Sequence, residues 1–407
     1  MEVIYRRCAG LDVHKETVVA CVRIANHGAP TQEVRTFTTT TSGLLGLVDW
    51  LDGYAVEHVA MEATGVYWKP VWHVLEGHFE LVLANAAHVK NVPGHKTDVN
   101  DATWLADLLA HGLIRASFVP PIAVQNLRAL TRTRKQFVRE RSAHIQRIEK
   151  VLEDANLKLG VVLTDIMGKS GRTVLQAIVE GHTDPEWLIT LVSLRVKASR
   201  AEVLEALRGR ITAHHRFMLK LHLEHIDALD HAIATIEQEV GAGLEPFRHA
   251  AQLVNTIPGM SSTASHVVVG EIGIDMTRFA TPAHLLSWAC ICPRNDESAG
   301  KRRSTRLRRG GKWLKTTLVQ SAWAAVRVKG SYLQAQFHRI RARRGAKKAI
   351  IAVAASMLTA IWHMLRNGTE WRELGAAYFD RADAKKTATR LIRRLQQIGY
   401  TVQATPL

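Results

Sequence analysis

The chain has 407 residues, with 54 lysines and arginines against 37 aspartates and glutamates, which gives a formal charge of +17. A chain of this length can form two or three domains, and such an excess of positive charge predicts a polyanionic partner, DNA or RNA. The four cysteines are too few for a disulfide framework, so the composition excludes a disulfide-stabilised secreted domain.

The first 120 residues alternate between strand and helix patterns, which predicts a mixed α/β domain. Strands are expected where β-branched residues are dense, and helices where apolar residues recur at helical spacing. In chain order the sequence predicts a strand–turn–strand over 8–24, a strand at 33–39, a helix at 42–52 opening at Ser42, a strand at 56–61, a helix at 66–77, a strand at 80–85, and a helix from Asp98 to His111 that stops at Gly112.

Four acidic residues of this region are the strongest candidates for chemistry. Asp12 lies in the first predicted strand, Glu62 ends the fourth, and Asp98 and Asp101 are three residues apart on one helical face. Each alone has an ordinary explanation, such as an N-cap for Asp98. Together they predict a Mg²⁺ site, because magnesium prefers hard oxygen ligands and paired metal ions assist phosphoryl transfer. Asp107, further along the same helix, is expected at the surface.

A helical region is predicted after the Pro-Pro break at 120–121. Residues 123–157 carry one apolar stripe with basic residues on the other faces. A second long helix is expected through 200–240, where apolar residues recur in steps of three and four, and a loop-rich connection is expected over 160–198. The two long helices predict an antiparallel coiled-coil arm, although a plain helical bundle fits the pattern nearly as well.

A third region is predicted from about residue 246. Residues 253–273 show a helix, a Pro-Gly turn and then a second helix, the pattern of a helix-hairpin-helix. Its Gly259 turn and helix N-terminus could present backbone N–H groups to a phosphate. The remainder is predicted to be helical around a basic loop at 293–312.

The basic loop contains two candidate nucleophiles. Ser298 lies between Arg294 and Lys301, and a hydroxyl among cations could attack a phosphodiester because the cations stabilise the developing charge. Ser304 is an equal alternative, and either serine could simply be a loop residue among phosphate contacts.

A membrane location is not expected. The apolar stretch 349–365 is about the shortest that could span a bilayer, but its small residues, its histidine and its flanking cations favour a buried helix. The first residues lack the apolar centre of a signal peptide. We therefore expect a soluble, cytoplasmic, nucleoid-associated protein.

Several ordered motifs resemble a known family. They are GLDVHK (10–15), MEATGVYW (61–68), KTDVNDA (96–102), TIPGMSSTASHVVVGEIG (256–273) and CICPRNDESAGKRRSTRLRRGGKWLK (290–315). The chain resembles, over residues 8–330, the DEDD transposases of the insertion-sequence "one-ten" family, which are bridge-RNA-guided serine recombinases. Its long middle helices and extended C-terminal region are similar to the longer subgroup.

The resemblance implies three domains. They are a RuvC-like RNase H fold at 1–120, a helical coiled-coil domain at 121–245, and a C-terminal transposase domain with a helix-hairpin-helix and basic C-terminal helices at 246–407. It also implies a structured non-coding guide RNA, donor and target DNA, and a homodimer or homotetramer. The RNA would read the sequence by base pairing, so the protein would mainly contact the backbone.

The resemblance also implies roles for individual residues. Asp12, Glu62, Asp98 and Asp101 would take the four DEDD positions and hold Mg²⁺, and Ser298 would form a covalent link to DNA. The family often has two adjacent serines and Gly-Gly at this point, where this chain has ESAG. The candidate nucleic-acid contacts are Lys15, Arg294, Lys301, Arg302, Arg303, Arg306, Arg308, Arg309 and Lys312.

Two other functions fit the residues. A structure-selective RuvC-like nuclease would use only the carboxylates and would leave no protein–DNA adduct. A non-catalytic architectural protein would bind nucleic acid through its basic surfaces and would not need the carboxylates at all.

Overall fold

The computed structural model separates the chain into two compact units, residues 1–119 and residues 120–407. The structure describes residues 2–26, 29–63, 65–84, 89, 101–293, 296–298, 300–304, 306–379 and 384–402.

The first unit is a five-stranded mixed sheet with helices, as the sequence predicted. Its elements are β1 (Arg7–Val13), β2 (Thr17–Ile24), β3 (Thr31–Thr38), α1 (Thr41–Gly53), β4 (His58–Glu62), α2 (Trp68–Leu75), β5 (Glu80–Ala84) and α3 (Asp101–Ala110). The sequence predicted that Ser42 opens α1, but the N-cap is Thr40, whose side chain accepts the Gly43 N–H. Asp98 lies outside the described residues.

The strand order is β3-β2-β1-β4-β5, and the direction of pairing changes at β1. Strands β1, β2 and β3 pair antiparallel, whereas β4 is parallel to both β1 and β5. Alternate residues of each strand face opposite sides of the sheet. Leu11 and Met61 enter the core that α1 and α2 cover, whereas Cys8 and Ala60 pack on the other side, against the end of α3.

The second unit is built on two long helices, α4 (Ile122–Asp154) and α9 (Ala213–Gly243). Arg134 binds Glu237, and Arg141, one heptad later on α4, binds Asp230, seven residues earlier on α9. The antiparallel pairing predicted from the heptad pattern is therefore confirmed.

The connection between these helices is helical, so the predictions of a loop at 160–198 and of one helix through 200–240 were wrong. It contains α5 (Leu159–Val162), α6 (Lys169–Glu180), α7 (Pro185–Leu188), a 3-10 turn (Ile189–Leu191) and α8 (Arg200–Ala206). These short helices share a core with the adjoining parts of α4 and α9. The chain then breaks at Gly209, where a Cβ would lie 2.4 Å from the Ala155 carbonyl oxygen, and Thr212 caps the new helix.

Seven further helices follow in the described part of the chain, and four of them pack against the apolar helix at 346–367. The seven are α10 (Arg248–Asn255), α11 (Ser262–Ile272), α12 (Pro282–Trp288), α13 (Lys312–Ala325), α14 (Tyr332–Arg344), α15 (Ala346–Asn367) and the basic C-terminal α16 (Ala384–Gln397), with a hairpin of β6 (Asp296–Ser298) and β7 (Lys301–Ser304) inside the basic loop. Those that pack against α15 are α10, α12, α13 and α14. The helix–turn–helix predicted at 253–273 is confirmed by α10, the turn and α11, whereas the hairpin was not predicted.

The glycine of the Pro-Gly turn serves packing. Gly259 has φ +79°, and a Cβ there would lie 2.3 Å from the Ala325 nitrogen and 2.6 Å from the Ser321 carbonyl oxygen. The turn therefore lies directly on the backbone of α13. This contact does not support the hypothesis that the turn itself presents its N–H groups to a phosphate.

Helix α15 has the length and mean hydropathy of a membrane-spanning helix, and it alone does so among the described residues. Half of its apolar window is buried by the rest of the protein. Val353, Met357 and Ile361 are fully buried along one side. This burial supports the predicted role as a core helix.

A histidine cluster lies in the interface of the two long helices. His144 on α4 and His222 on α9 place their Nδ1 atoms 3.3 Å apart, and the ring of His225 stacks on His144. Burial lowers the pKa of His144 below its ordinary value of 6.5, and Arg147 and His225 lower it further. Burial also lowers the pKa of His222, with contributions from His144, Arg147 and His225.

The cluster predicts that acid weakens the arm. Because the folded pKa values are lowered, the folded arm keeps neutral rings while the unfolded chain gains protons below about pH 6.5. The stabilisation is therefore complete above that pH and is lost as the pH falls through the lowered values. The thermal midpoint should fall less between about pH 7.5 and about pH 5.5 in His144→Gln/His222→Gln than in the wild type. The exposed His231→Gln on α9 is the control, and equal pH dependence in all three proteins would contradict the prediction.

Candidate functional site

Asp12 and Glu62 lie at the carboxyl ends of two adjacent parallel strands. In the register of β1 and β4, Leu11 pairs with Met61, so the next residues along are Asp12 and Glu62. Since Leu11 and Met61 belong to the core under α1 and α2, the two acids project from the opposite face, on which α3 packs. The sheet therefore brings to one edge two carboxylates that are 50 residues apart in the chain.

Helix α3 brings Asp101 towards the same edge. Its end is near the start of β1, because the Ala110 carbonyl accepts the Ile4 and Tyr5 N–H groups. Its middle lies over Cys8, whose thiol donates to the Ala106 carbonyl at 3.5 Å. The helix thus runs antiparallel to β1, and its first residue, Asp101, lies at the end of the strand that carries Asp12.

Gly10 allows this close approach. A Cβ at Gly10 would lie 2.2 Å from the Ala102 carbonyl oxygen and 2.5 Å from the Ala106 nitrogen, distances that real Cβ atoms do not reach. The helix backbone thus lies directly on the strand backbone, two residues before Asp12 and one after Asp101. Because Gly10 has no side chain, α3 can lie this close to β1, and Asp101 can approach the end of the strand that carries Asp12.

Asp107 lies at the surface, as predicted, with its side chain 35% exposed, but it also has a structural role. Its carboxylate accepts from Arg23 Nε at 2.6 Å and from Gln32 Nε2 at 3.3 Å. The Arg23 side chain is only 6% exposed. The pair joins α3 to β2 on the face of the sheet that carries Asp12.

The acidic edge offers the oxygen ligands that Mg²⁺ prefers, but the described residues alone do not complete a metal site. Asp12 is 22% exposed at its side chain and also contacts His14, with 3.1 Å between Oδ2 and Nε2. Among the residues that the structure describes, no three His, Cys, Asp or Glu side chains are grouped to hold a metal ion. The donors that do converge offer carboxylate oxygens, which fit Mg²⁺.

The basic loop of the second unit forms a hairpin around Ser298. In its register Ser298 pairs with Lys301, and Gly300 makes the turn at φ +74°. An isolated bridge between Pro293 and Leu307 closes the base of the hairpin. Ser304, the alternative nucleophile, accepts the Arg306 N–H at 3.2 Å through its hydroxyl oxygen.

The hairpin and the segment after it carry an exposed positive charge. Arg294 lies outside the described residues, and for Ser298, Arg302 and Arg303 the structure describes the backbone alone. The exposed cations of this region are Lys301, Arg306, Arg308, Arg309 and Lys312. In the other unit, Lys15 is exposed next to the acidic edge.

Much of the basic helix α4 is neutralised within the protein. Arg132 binds the buried carboxylate of Glu271 through two hydrogen bonds of 2.7 and 2.8 Å, and Arg128 Nε lies 3.9 Å from the same carboxylate. Arg132 and Arg139 also lie over the ring of Trp313, at 5.7 and 5.3 Å from its centroid. Together with the ion pairs to α9, these contacts leave less of the positive charge of α4 for a partner than the sequence suggested.

Comparisons with known proteins agree with the motifs. Residues 9–157 match the IS110-type DEDD transposase family, described as "Transposase", and residues 251–338 match the family described as "Transposase IS116/IS110/IS902 family". The chain is also similar to the transposase for insertion sequence element IS1111A of Coxiella burnetii (strain RSA 493 / Nine Mile phase I). The two are 24% identical over 299 residues, which cover 71% of this chain and 72% of that protein.

Gly10→Ala should displace α3 and open the acidic edge. The added methyl group overlaps helix backbone, so we expect a loss of roughly 1–3 kcal/mol in the free energy of unfolding. Two thiols under α3 report the displacement. Burial raises the pKa of Cys8 to about 12, and burial also raises the pKa of Cys21, so both should resist alkylation in the wild type.

The measurement is mass-spectrometric alkylation of the native protein. Cys290 and Cys292 are partly exposed and provide the internal reference. In Gly10→Ala the two buried thiols should label many times faster than in the wild type. Gly46→Ala is the matched control, because a Cβ there meets nothing within 4 Å and should stabilise α1 by roughly 0.5–1 kcal/mol. Unchanged labelling in Gly10→Ala would show that the helix is not held by this contact.

Proposed function

The chain belongs to the IS110 family of DNA transposases, the enzymes that move insertion sequences, and from this premise we propose that it cuts and rejoins DNA through a carboxylate-bound Mg²⁺ site and a serine nucleophile, guided by a non-coding RNA. The single observation that carries the proposal is the meeting of Asp12 and Glu62 on adjacent parallel strand ends, next to the first turn of α3. Such an edge is where distant acids can share a cation.

The sheet supports a RuvC-like RNase H fold for residues 1–120. Three antiparallel strands are followed by two parallel ones, and helix α3 covers the face that carries the acids. Asp12, Glu62 and Asp101 would hold Mg²⁺ together with Asp98. When bound, the metal would supply positive charge to phosphate oxygens in the transition state. His14 would help to orient Asp12, to which it is already bound.

The serine step conserves the energy of the phosphodiester. The Ser298 oxygen would attack a DNA phosphorus atom, the bond from phosphorus to one deoxyribose oxygen would break, and the proton lost by serine would balance the proton taken up by the released hydroxyl. Rejoining would reverse the step with the hydroxyl of another strand. We favour Ser298 over Ser304, because the Ser304 hydroxyl already caps the backbone at Arg306.

The cations near Ser298 would stabilise the charge of the attacked phosphate. Lys301 is its partner in the hairpin register, and Arg306, Arg308 and Arg309 follow in the exposed segment. These side chains would contact the DNA backbone, so the RNA would read the DNA sequence. Binding to DNA should therefore weaken steeply as the salt concentration rises. We further propose a homodimer or homotetramer that acts on donor and target DNA in the cytoplasm.

Ser298→Ala should abolish a covalent protein–DNA species. The full-length protein is incubated with labelled flanking DNA, the matching RNA and Mg²⁺, and adducts are separated under denaturing conditions. We expect adducts in the wild type and in Ser304→Ala, and none in Ser298→Ala or without RNA. Adducts that persist in Ser298→Ala would contradict the serine assignment, whereas cleavage without any adduct would indicate a nuclease.

Asp12→Asn and Glu62→Gln should remove strand cleavage, because each loses a charged oxygen donor. We expect the rate to fall roughly a hundredfold or more under the same conditions, with DNA binding retained. Asp49→Asn, an exposed acid on α1, is the control and should cleave at the wild-type rate. If all three variants cleave normally, the carboxylates have no catalytic role and an architectural function becomes the better explanation.

A further inference from the structure

A cleft of about 760 Å³ lies within the second unit, between α4, α9, α11 and α13. Its volume is in the range of small-molecule binding sites. Polar groups from all four helices line it, and its charged side chains are Arg134, Lys135, Arg139 and Glu237. The three cations and one carboxylate give the lining a net positive charge.

The positive charges differ in how far they are neutralised. Arg134 binds Glu237 at 2.8 Å and 2.5 Å through Nε and Nη2. Lys135 instead donates to the neutral hydroxyl of Thr317 at 3.3 Å, the one hydrogen bond that its ammonium group makes within the described residues. Burial and the nearby Arg139 lower the pKa of Lys135. A half-buried ammonium group beside a second cation is stabilised by an anion.

Neutral donors surround this ammonium group. Ser262 and Thr263 form the exposed first turn of α11, where backbone N–H groups have no acceptor within the helix. Thr316 and Gln320 line the opposite wall on α13. Burial and Arg134 lower the pKa of His266 below its ordinary value of 6.5, so the neutral form of this side chain is favoured near pH 7. Hydroxyls, amides and a lysine together suit a phosphate group.

We propose that this cleft binds a phosphate group, with Lys135 as its central charged contact. The phosphate is a backbone phosphate of a bound nucleic-acid strand, or free phosphate that occupies the same subsite. The site is separate from the basic hairpin and from the acidic edge, and it requires only that the protein binds nucleic acid. It therefore does not depend on Ser298 being the nucleophile.

The proposal is tested by measuring the affinity of two variants of α4 for a labelled single-stranded oligonucleotide across a series of salt concentrations. Lys135→Met should weaken binding several-fold and reduce the magnitude of the salt slope by about 1, because one phosphate contact is lost. Lys150→Met, an exposed lysine of α4 outside the cleft, is the matched control. Lys135→Arg should restore the slope and confirm that charge matters. An equal effect of Lys135→Met and Lys150→Met would overturn the proposal.

A local readout separates the two sources of phosphate. Amine acylation followed by mass spectrometry measures the reactivity of Lys135 in the intact wild-type protein. Protection by the oligonucleotide alone indicates a backbone phosphate, and protection by millimolar inorganic phosphate as well indicates that the free ion also binds. Lys150 should show no protection by inorganic phosphate. If neither ligand protects Lys135, the cleft is not a phosphate site.

Discussion

The contact between α3 and β1 at Gly10 is the constraint on which the acidic edge depends. Backbone atoms of the helix occupy the space where any other residue would place its Cβ. The helix can therefore lie low enough for Asp101 to approach the strand end that holds Asp12. The ion pair from Arg23 to Asp107 then fixes the far half of the helix to β2. Because the interior is close-packed, a side chain added at Gly10 would shift α3 and Asp101 with it.

In the second unit, a buried carboxylate has a comparable role. Glu271 is 4% exposed at its side chain and is held by Arg128 and Arg132. Removing one partner of such a group leaves an uncompensated buried charge, so the pair joins α4 to α11 strongly in one arrangement. The same contacts remove positive charge from the helix face. The net charge of the chain therefore overstates the charge that a nucleic acid meets on α4, whereas the hairpin cations stay exposed.

The parts of the fold that follow a simple periodicity could be predicted from the sequence. The β1–β2 hairpin and the antiparallel long helices were clear from alternation and heptad spacing, and so was the grouping of Asp12 with Glu62. The ion pair of Asp107 was not predicted, because its partner, Arg23, lies 84 residues earlier and a helix pattern cannot indicate it. The cleft was not predicted, because it depends on four helices meeting in space.

The short helices between residues 159 and 206 were missed for a different reason. Each has one or two turns or begins after a glycine or proline, so its apolar residues show too few repeats to indicate a helix. The break near Gly209 depends on contact with the carbonyl of Ala155, which is again a tertiary effect. The β6–β7 hairpin was hidden because its strands carry charged residues in place of the β-branched ones that usually mark strands.

The position of Trp313 has a mechanical consequence. Two arginines one heptad apart on α4 lie against the indole ring, and α13 begins directly after its N-cap Gly311. A Cβ at Gly311 would overlap the Ala289 carbonyl, so this junction has little freedom to bend. Trp313 therefore ties the first turn of α13, directly after the basic segment, to the arginine-bearing face of α4.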